Sequence, residues 1–187
     1  MKDVGLCHRN LSLETIAMSG NQIDISRLGW ALRVDKNASA PSEKSSNNSK
    51  SSTSPTPALV GGSNPQYIAP EVFTNDAVWD GHLADLWAAG LMLYSMVVSS
   101  QALFVAPIAE DRVFSELCIK GNVRGQAELF GKMTKNEPLV LSSDLVDLLQ
   151  KMLRVNPRER LTLEEVKNHP WVKDHEAENP PSLNFSI

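Results

Sequence analysis

The chain has few of the residues that build metal or redox sites. Its two cysteines, Cys7 and Cys118, lie far apart, and neither belongs to a pair spaced for zinc or for a thioredoxin-type site. The four histidines are scattered and lack metal-ligand spacing such as H-x-x-x-H. We therefore interpret both cysteines as buried structural thiols and expect no metal site.

Long apolar runs and an excess of one charge are also absent. The most apolar stretch, Leu86 to Val98, is shorter than the roughly 18 to 20 residues needed to cross a bilayer, so it predicts a buried helix. No secretory signal pattern opens the chain. The 18 basic and 22 acidic residues give no broad positive field. These features predict no membrane or nucleic-acid partner and a cytoplasmic or nuclear location.

A serine-rich segment interrupts a chain that otherwise has room for one domain. From Asp35 to Ala58 the sequence has no Val, Ile, Leu, Met or aromatic residue, which predicts a disordered insertion because nothing there can be buried. Ser54 and Thr56 each precede a proline in this segment, so they are candidate phosphorylation sites. The alternative is a solvated spacer without regulatory function.

Local patterns predict a hairpin followed by helices. Two short runs, Ile16 to Met18 and Gln22 to Ser26, flank Ser19-Gly20-Asn21, which has turn chemistry. Farther along, a segment that is apolar on nearly every side predicts a central buried helix from about His82 to Val98. Its expected core residues are Trp87, Leu91, Met92 and Met96.

Two further helices are expected near the C-terminal end. Ser143 or a neighbour can cap a helix whose leucines recur at helical spacing up to Leu153. Thr162 and Glu165 form a capping-box pattern, in which each side chain bonds the other's backbone N–H. This pattern predicts a helix from about Leu163 to Asn168.

Five segments match, in order, the motifs of one protein family. These segments are Cys7 to Thr15, a degraded H-R-D-L-x-x-x-N loop; Arg27-Leu28-Gly29, at the place of D-F-G; Tyr67 to Glu71, which contains A-P-E; Asp85 to Gly90, the start of a large helix; and Asn156 to Val172, a closing segment. The chain thus resembles the C-terminal lobe of eukaryotic-type serine/threonine protein kinases over nearly its whole length.

The resemblance implies a mainly α fold: a kinase-like C-terminal lobe with a small β-hairpin near the catalytic loop. The lobe would span residues 1–172, with residues 35–64 as a serine-rich insertion in the activation segment and 173–187 as a C-terminal tail. No G-x-G-x-x-G loop and no V-A-I-K lysine precede His8. We therefore expect the N-terminal lobe to be absent.

The resemblance also implies structural roles for residues that match the family motifs: His8, Arg9, Leu28, Gly29, Glu71, Asp85 and Arg160. Glu71 and Arg160 would form a buried ion pair that anchors the activation segment. Asp85 would hold the backbone around His8 and Arg9, in addition to any favourable interaction with the helix dipole. His8 and Leu28 would belong to an apolar column that runs through an active kinase.

Three positions depart from the family pattern where the chemistry needs it. Asn10 replaces the general base, which is typically worth about 10² to 10⁴ in rate. Thr15 puts a single weak oxygen where an asparagine binds Mg²⁺, and Arg27 puts a fixed positive charge where an aspartate does. Asp24 lies nearby, but Gly29 and the residues after it fit the family pattern only when Arg27 is aligned with that aspartate.

These departures favour a catalytically inactive, pseudokinase-like domain that serves as a protein-binding or scaffold module, or a truncated remnant. No cofactor is then expected, and a protein partner could use the surface left open by the missing lobe. One alternative is a fragment of a kinase that transfers phosphate from ATP to Ser or Thr of proteins, with bound ATP and Mg²⁺. Another is an unrelated helical interaction domain.

Overall fold

A computed structural model describes residues 5–20, 22–33, 64–74, 79–98, 103–135, 137–174 and 182–185. Within these residues the fold is mostly helical, with a few small strands, as expected for a kinase-like domain. The helices are α1 (Pro70–Phe73), α2 (Gly81–Val97), α3 (Arg112–Phe114), α4 (Val123–Lys135), α5 (Ser143–Met152), α6 (Leu163–Asn168) and α7 (Pro170–Asp174). The strands are β1 (Leu6–Cys7), β2 (Ile16–Ser19), β3 (Gln22–Ile25), β4 (Leu32–Arg33) and β5 (Ser182–Phe185). The candidate phosphorylation sites Ser54 and Thr56 lie outside the described residues.

Helix α2 is the central element, and its predicted position is confirmed within a residue at each end. The Asp80 carboxylate caps it by accepting hydrogen bonds from the backbone N–H groups of His82 and Leu83. Trp87 and Leu91 are fully buried in the main core. No helix in the described ranges is long and apolar enough to span a membrane.

The expectation that Met96 packs in the core is wrong. Its side chain is 64% exposed, whereas Met92, one turn earlier on the same helix, is buried. The helix is apolar around nearly its whole circumference, so hydrophobicity alone does not indicate which side the neighbouring elements cover.

Helices α2 and α5 approach each other closely at Gly90. A Cβ atom at Gly90 would lie 3.0 Å from Leu153 Cδ2 and 3.1 Å from Met152 Cβ, so a larger residue would require these neighbours to shift. The serine cap of α5 is confirmed as Ser142, whose hydroxyl accepts from Leu145 N. The contact places α5 directly against the central helix.

The capping box of α6 is also confirmed. Thr162 Oγ1 accepts from Glu165 N at 3.3 Å, while Glu165 Oε2 accepts from Thr162 N at 2.7 Å. The helix runs over Leu163–Asn168, as the pattern predicts, and α7 follows it after one residue.

The predicted hairpin is formed by β2 and β3, which pair antiparallel from Ile16 opposite Ile25 to Ser19 opposite Gln22. Its third strand is unexpected: β5, from the C-terminal end of the chain, pairs parallel with the outer edge of β3. A separate two-stranded pairing joins β1 to β4.

A buried ion pair joins α1 to the segment that precedes α6. Arg160 Nη1 and Nη2 donate to the two carboxylate oxygens of Glu71 at 2.9 and 3.1 Å, and the two side chains are 0% and 3% exposed. The remaining donors of the guanidinium bond the carbonyl oxygens of Leu83 and Arg154. The guanidinium carbon, Cζ, lies 5.0 Å from the ring centroid of Trp87. All five N–H groups of Arg160 therefore have acceptors.

We predict that Leu91→Ala lowers the free energy of unfolding by about 2 to 5 kcal/mol, because a cavity would open in the centre of the core. Met96→Ala on the same helix is the control and should change it by no more than about 0.5 kcal/mol, since Met96 is exposed. Urea unfolding followed by circular dichroism measures both. Equal losses for the two variants would mean that α2 is not the centre of the core.

We further predict that Arg160→Met destabilises the chain by about 3 to 5 kcal/mol, because it leaves the Glu71 carboxylate buried without a partner. Lys151→Met is the matched control. It removes a pair with Asp147 whose side chains are 46% and 47% exposed, and should cost about 1 kcal/mol or less. A loss for Arg160→Met as small as that of the control would contradict an anchoring role.

Candidate functional site

The loop that carries His8, Arg9 and Asn10 is fastened to the start of α2 through its backbone. Asp85 Oδ2 accepts from His8 N at 2.6 Å, and Asp85 Oδ1 accepts from Arg9 N at 2.8 Å. Burial raises the pKa of the Asp85 carboxyl, while these two N–H bonds act in the opposite direction. A Cβ atom at Gly81 would lie 2.5 Å from Cys7 Sγ, so the absence of a side chain there lets the loop reach the helix.

His8 links this loop to the end of β3. Its ring is fully buried, with Nε2 at 2.9 Å from the carbonyl oxygen of Ser26 and Nδ1 at 3.2 Å from Asn10 N. A carbonyl oxygen only accepts and a backbone N–H only donates, so these contacts fit an imidazole protonated at Nε2. His8 is thus a structural histidine that sets the distance between Asn10 and the segment at Arg27.

Thr15 is turned into the protein instead of toward the site. Its side chain is 1% exposed, and Oγ1 donates to Ser12 O at 2.9 Å while accepting from Ser12 N at 3.0 Å. The Thr15 carbonyl oxygen accepts from Ser26 N at 2.9 Å. The Thr15 hydroxyl is therefore enclosed and hydrogen-bonded both as a donor and as an acceptor.

Arg27 is exposed at the point where the chain leaves β3. Its backbone is left-handed, with φ of 62°, and Arg9 shares this uncommon conformation with φ of 66°. The candidate for an alternative alignment, Asp24, lies within β3, and its Oδ1 accepts from Gln22 Nε2 at 2.9 Å. Leu28 and Gly29 follow Arg27 in a short 3₁₀ turn, and Leu28 is half-buried.

A recess lies beside this loop, between the segment around Tyr67 and the start of α2. It encloses about 430 Å³, including space open to solvent, and Asn10 and Asp85 are on its wall. The Arg9 guanidinium lies 5.5 Å from the ring centroid of Trp79, and Arg9 Nε is buried with no hydrogen-bond partner in the described part of the chain. The remaining lining is largely apolar, including Leu11, Tyr67, Ile68, Ala69, Val72, Ala84 and Ala88.

Neither cysteine is poised for chemistry. Burial raises the pKa of the Cys7 thiol, and the negative charge of Asp85 raises it further. Burial also raises the pKa of Cys118. The interpretation of both as buried thiols is confirmed. Within the described ranges, no group of three or more His, Cys, Asp or Glu could hold a metal ion.

Five of the seven residues with predicted structural roles fall into two groups, while Leu28 and Gly29 lie in the 3₁₀ turn after Arg27. His8, Arg9 and Asp85 lie together at the loop, and Glu71 and Arg160 meet as an ion pair elsewhere in the core. Sequence reasoning missed two contributors: the carbonyl of Ser26, which His8 bonds, and Trp79, which stacks on Arg9. A backbone carbonyl leaves no signal in a sequence. For Trp79, the sequence offered one indication: an aromatic residue stands directly before Asp80, the residue that caps α2.

Comparison with known proteins identifies relatives across most of the chain. It is 38% identical over 123 residues to calcium-dependent protein kinase 26 of Oryza sativa subsp. japonica, covering 65% of this chain and 20% of that protein. It is 31% identical over 171 residues to the abscisic acid-inducible protein kinase of Triticum aestivum, covering 89% of this chain and 42% of that protein. Tribbles homolog 2 of Bos taurus is 34% identical over 107 residues, covering 57% of this chain and 27% of that protein. The chain therefore spans between 20% and 42% of the length of these relatives.

The family model of the protein kinase domain matches residues 3–172, which include the loop at His8, the Glu71–Arg160 pair and helix α2. This match rules out the alternative of an unrelated helical interaction domain. The chain belongs to the protein kinase domain family.

Proposed function

We propose that this kinase-family chain is catalytically inactive and acts as a protein-binding or scaffold module. The main support for this proposal is the burial and hydrogen bonding of Thr15. Where the family has an asparagine that binds Mg²⁺, this chain has Thr15, a residue that is 1% exposed and whose hydroxyl is hydrogen-bonded twice to Ser12. A metal ion could reach it only if the loop opened.

Arg27 supports the same proposal on electrostatic grounds. Phosphoryl transfer relies on Mg²⁺ to neutralise charge on the phosphates, and Arg27 stands where the family's metal-binding aspartate would be. A guanidinium remains protonated at any physiological pH, so it repels a divalent cation at short range. With Thr15 enclosed, neither family position supplies a ligand for the metal.

Asn10 stands where the family has its general base. Its amide has no carboxylate with which to accept a proton from an attacking hydroxyl. The backbone of Asn10 is nevertheless well positioned, since its N–H donates to His8 Nδ1. The loop thus keeps its support while lacking the base.

The second candidate is a fragment of a kinase that transfers phosphate from ATP to Ser or Thr of proteins. The short coverage of the rice and wheat protein kinases, 20% and 42%, favours it. A transcript with a G-x-G-x-x-G loop and a V-A-I-K lysine in frame before Met1 would favour the fragment.

We predict that millimolar MgATP does not raise the melting temperature of the purified chain, because Thr15 and Arg27 cannot hold the metal. A ligand present at 100 times its dissociation constant would add about 2.7 kcal/mol, which a thermal-shift titration detects readily. ATP with a chelator is the control for binding of the nucleotide alone. A clear increase with MgATP that the chelator abolishes would contradict the proposed inactivity of this site.

We also predict that Asn10→Asp alone creates no kinase activity, because the restored base would act on a phosphate that nothing holds in line. Transfer of radioactive phosphate from ATP to a mixed Ser/Thr substrate protein measures the outcome. Asn10→Ala is the matched control, and both variants should remain at background. Transfer by Asn10→Asp above that of Asn10→Ala would mean that the metal positions are not what limits the chain.

A further inference from the structure

The outer edge of the small sheet is occupied by a segment from the far end of the chain. Strand β5 runs parallel to β3 over four residues. The register pairs Gln22 with Ser182, Ile23 with Leu183, Asp24 with Asn184 and Ile25 with Phe185. Pairing between segments so distant in sequence has no turn to set its register, so the strands themselves must do so.

The two strands carry the same pattern of residue types. β3 reads Gln-Ile-Asp-Ile and β5 reads Ser-Leu-Asn-Phe, so polar and apolar residues alternate in phase. The hydrogen bond from Gln22 Nε2 to Asp24 Oδ1 puts these two side chains on one face of β3, which leaves Ile23 and Ile25 on the other. A slip of one residue would place polar positions beside apolar ones.

Backbone N–H and C=O groups of β3 face this edge. Ser26 N donates to Thr15 O, on the side of the hairpin partner β2. Successive residues of a strand direct their N–H and C=O groups to opposite sides, so those of Ile25 and Ile23 face the other edge. Such an edge accepts an added extended strand, which gains main-chain bonds along its length.

The apolar face of the hairpin is only partly covered by the core. Ile16, opposite Ile25, packs against the main core, whereas Met18, opposite Ile23, is 71% exposed. Met18, on β2, is therefore open to solvent, while Ile23, which lies between Met18 and the β5 edge, is half-buried. A segment with apolar residues at alternate positions suits both features.

We propose that the outer edge of β3 is a docking edge for an extended segment of a partner protein in which apolar and polar residues alternate, and that Ser182–Phe185 is its resident occupant. The partner segment adds to β3 in place of β5, in the same register. A resident segment tethered to the same chain competes at an effective concentration on the order of millimolar. This docking does not depend on whether the chain binds nucleotide.

The position of the edge couples it to the loop that carries Asn10. Phe185 is in register with Ile25, and the next residue, Ser26, supplies the carbonyl that His8 bonds. β2 begins directly after Thr15. An occupant of the edge therefore orders the strand that supports one side of the catalytic-loop region.

The test compares three full-length chains: the unmodified chain, the double variant Leu183→Lys with Phe185→Lys, and the matched variant Ser182→Lys with Asn184→Lys. Both variants add the same charge to the same strand. The first variant replaces both apolar residues of β5 by lysine. The second variant keeps these apolar residues and puts a lysine in register with Asp24. The probe is a fluorescein-labelled peptide of residues 180–187, and its binding is followed by fluorescence anisotropy.

We expect the peptide to bind the Leu183→Lys, Phe185→Lys chain at least tenfold more tightly than the unmodified or the matched chain, because its edge is vacated. The same peptide carrying lysines at positions 183 and 185 should not bind. Equal affinity for the three chains, or no binding to any, would overturn the proposal.

Hydrogen exchange gives a second readout that does not need the peptide. The amides of Ile23 and Ile25 should exchange at least tenfold faster in the Leu183→Lys, Phe185→Lys chain than in the other two. Unchanged exchange would overturn pairing at this edge. A dimer of the unmodified chain that dissociates only in that variant, measured by light scattering, would overturn occupancy by a chain's own segment.

Discussion

The buried guanidinium of Arg160 is the interaction on which the rest of the architecture depends. It reaches Glu71 on α1, the Leu83 carbonyl on α2 and the Arg154 carbonyl after α5, and it stacks on Trp87. Removing a charge from water costs several kcal/mol, and this cost is offset only when every donor finds an acceptor, as here. One side chain thereby links α1, α2 and the residues that follow α5.

The groups that hold the loop at His8 in place are not the groups at the positions where the family carries out its chemistry. Asp85 and His8 hold the loop through backbone N–H and C=O groups, which are the same whatever side chains stand at positions 10 and 27. The fold of the loop therefore does not require a carboxylate at position 10 or at position 27.

Sequence patterns predicted the features that local chemistry determines. The hairpin, helix α2 and the Thr162 capping box could be predicted because turns, caps and periodicity act within a few residues. The pairing of β5 with β3 was missed because four residues carry too weak a signal and their partner lies at the other end of the chain. The inward turn of Thr15 was missed for a related reason: residue type tells which atoms are present, and only packing determines where they point.

The two hydrogen bonds between Thr15 and Ser12 limit which side chains position 15 can accept. Ser12 N is buried, and the Thr15 hydroxyl is its acceptor, so exchanging that hydroxyl for another side chain leaves the amide to find a new partner or forfeit about 1 to 3 kcal/mol. A substitution at position 15 that supplies no acceptor would therefore weaken the loop through its backbone, whatever its effect on the chemistry of the site. The residue at position 15 is thus constrained by the fold of the loop itself.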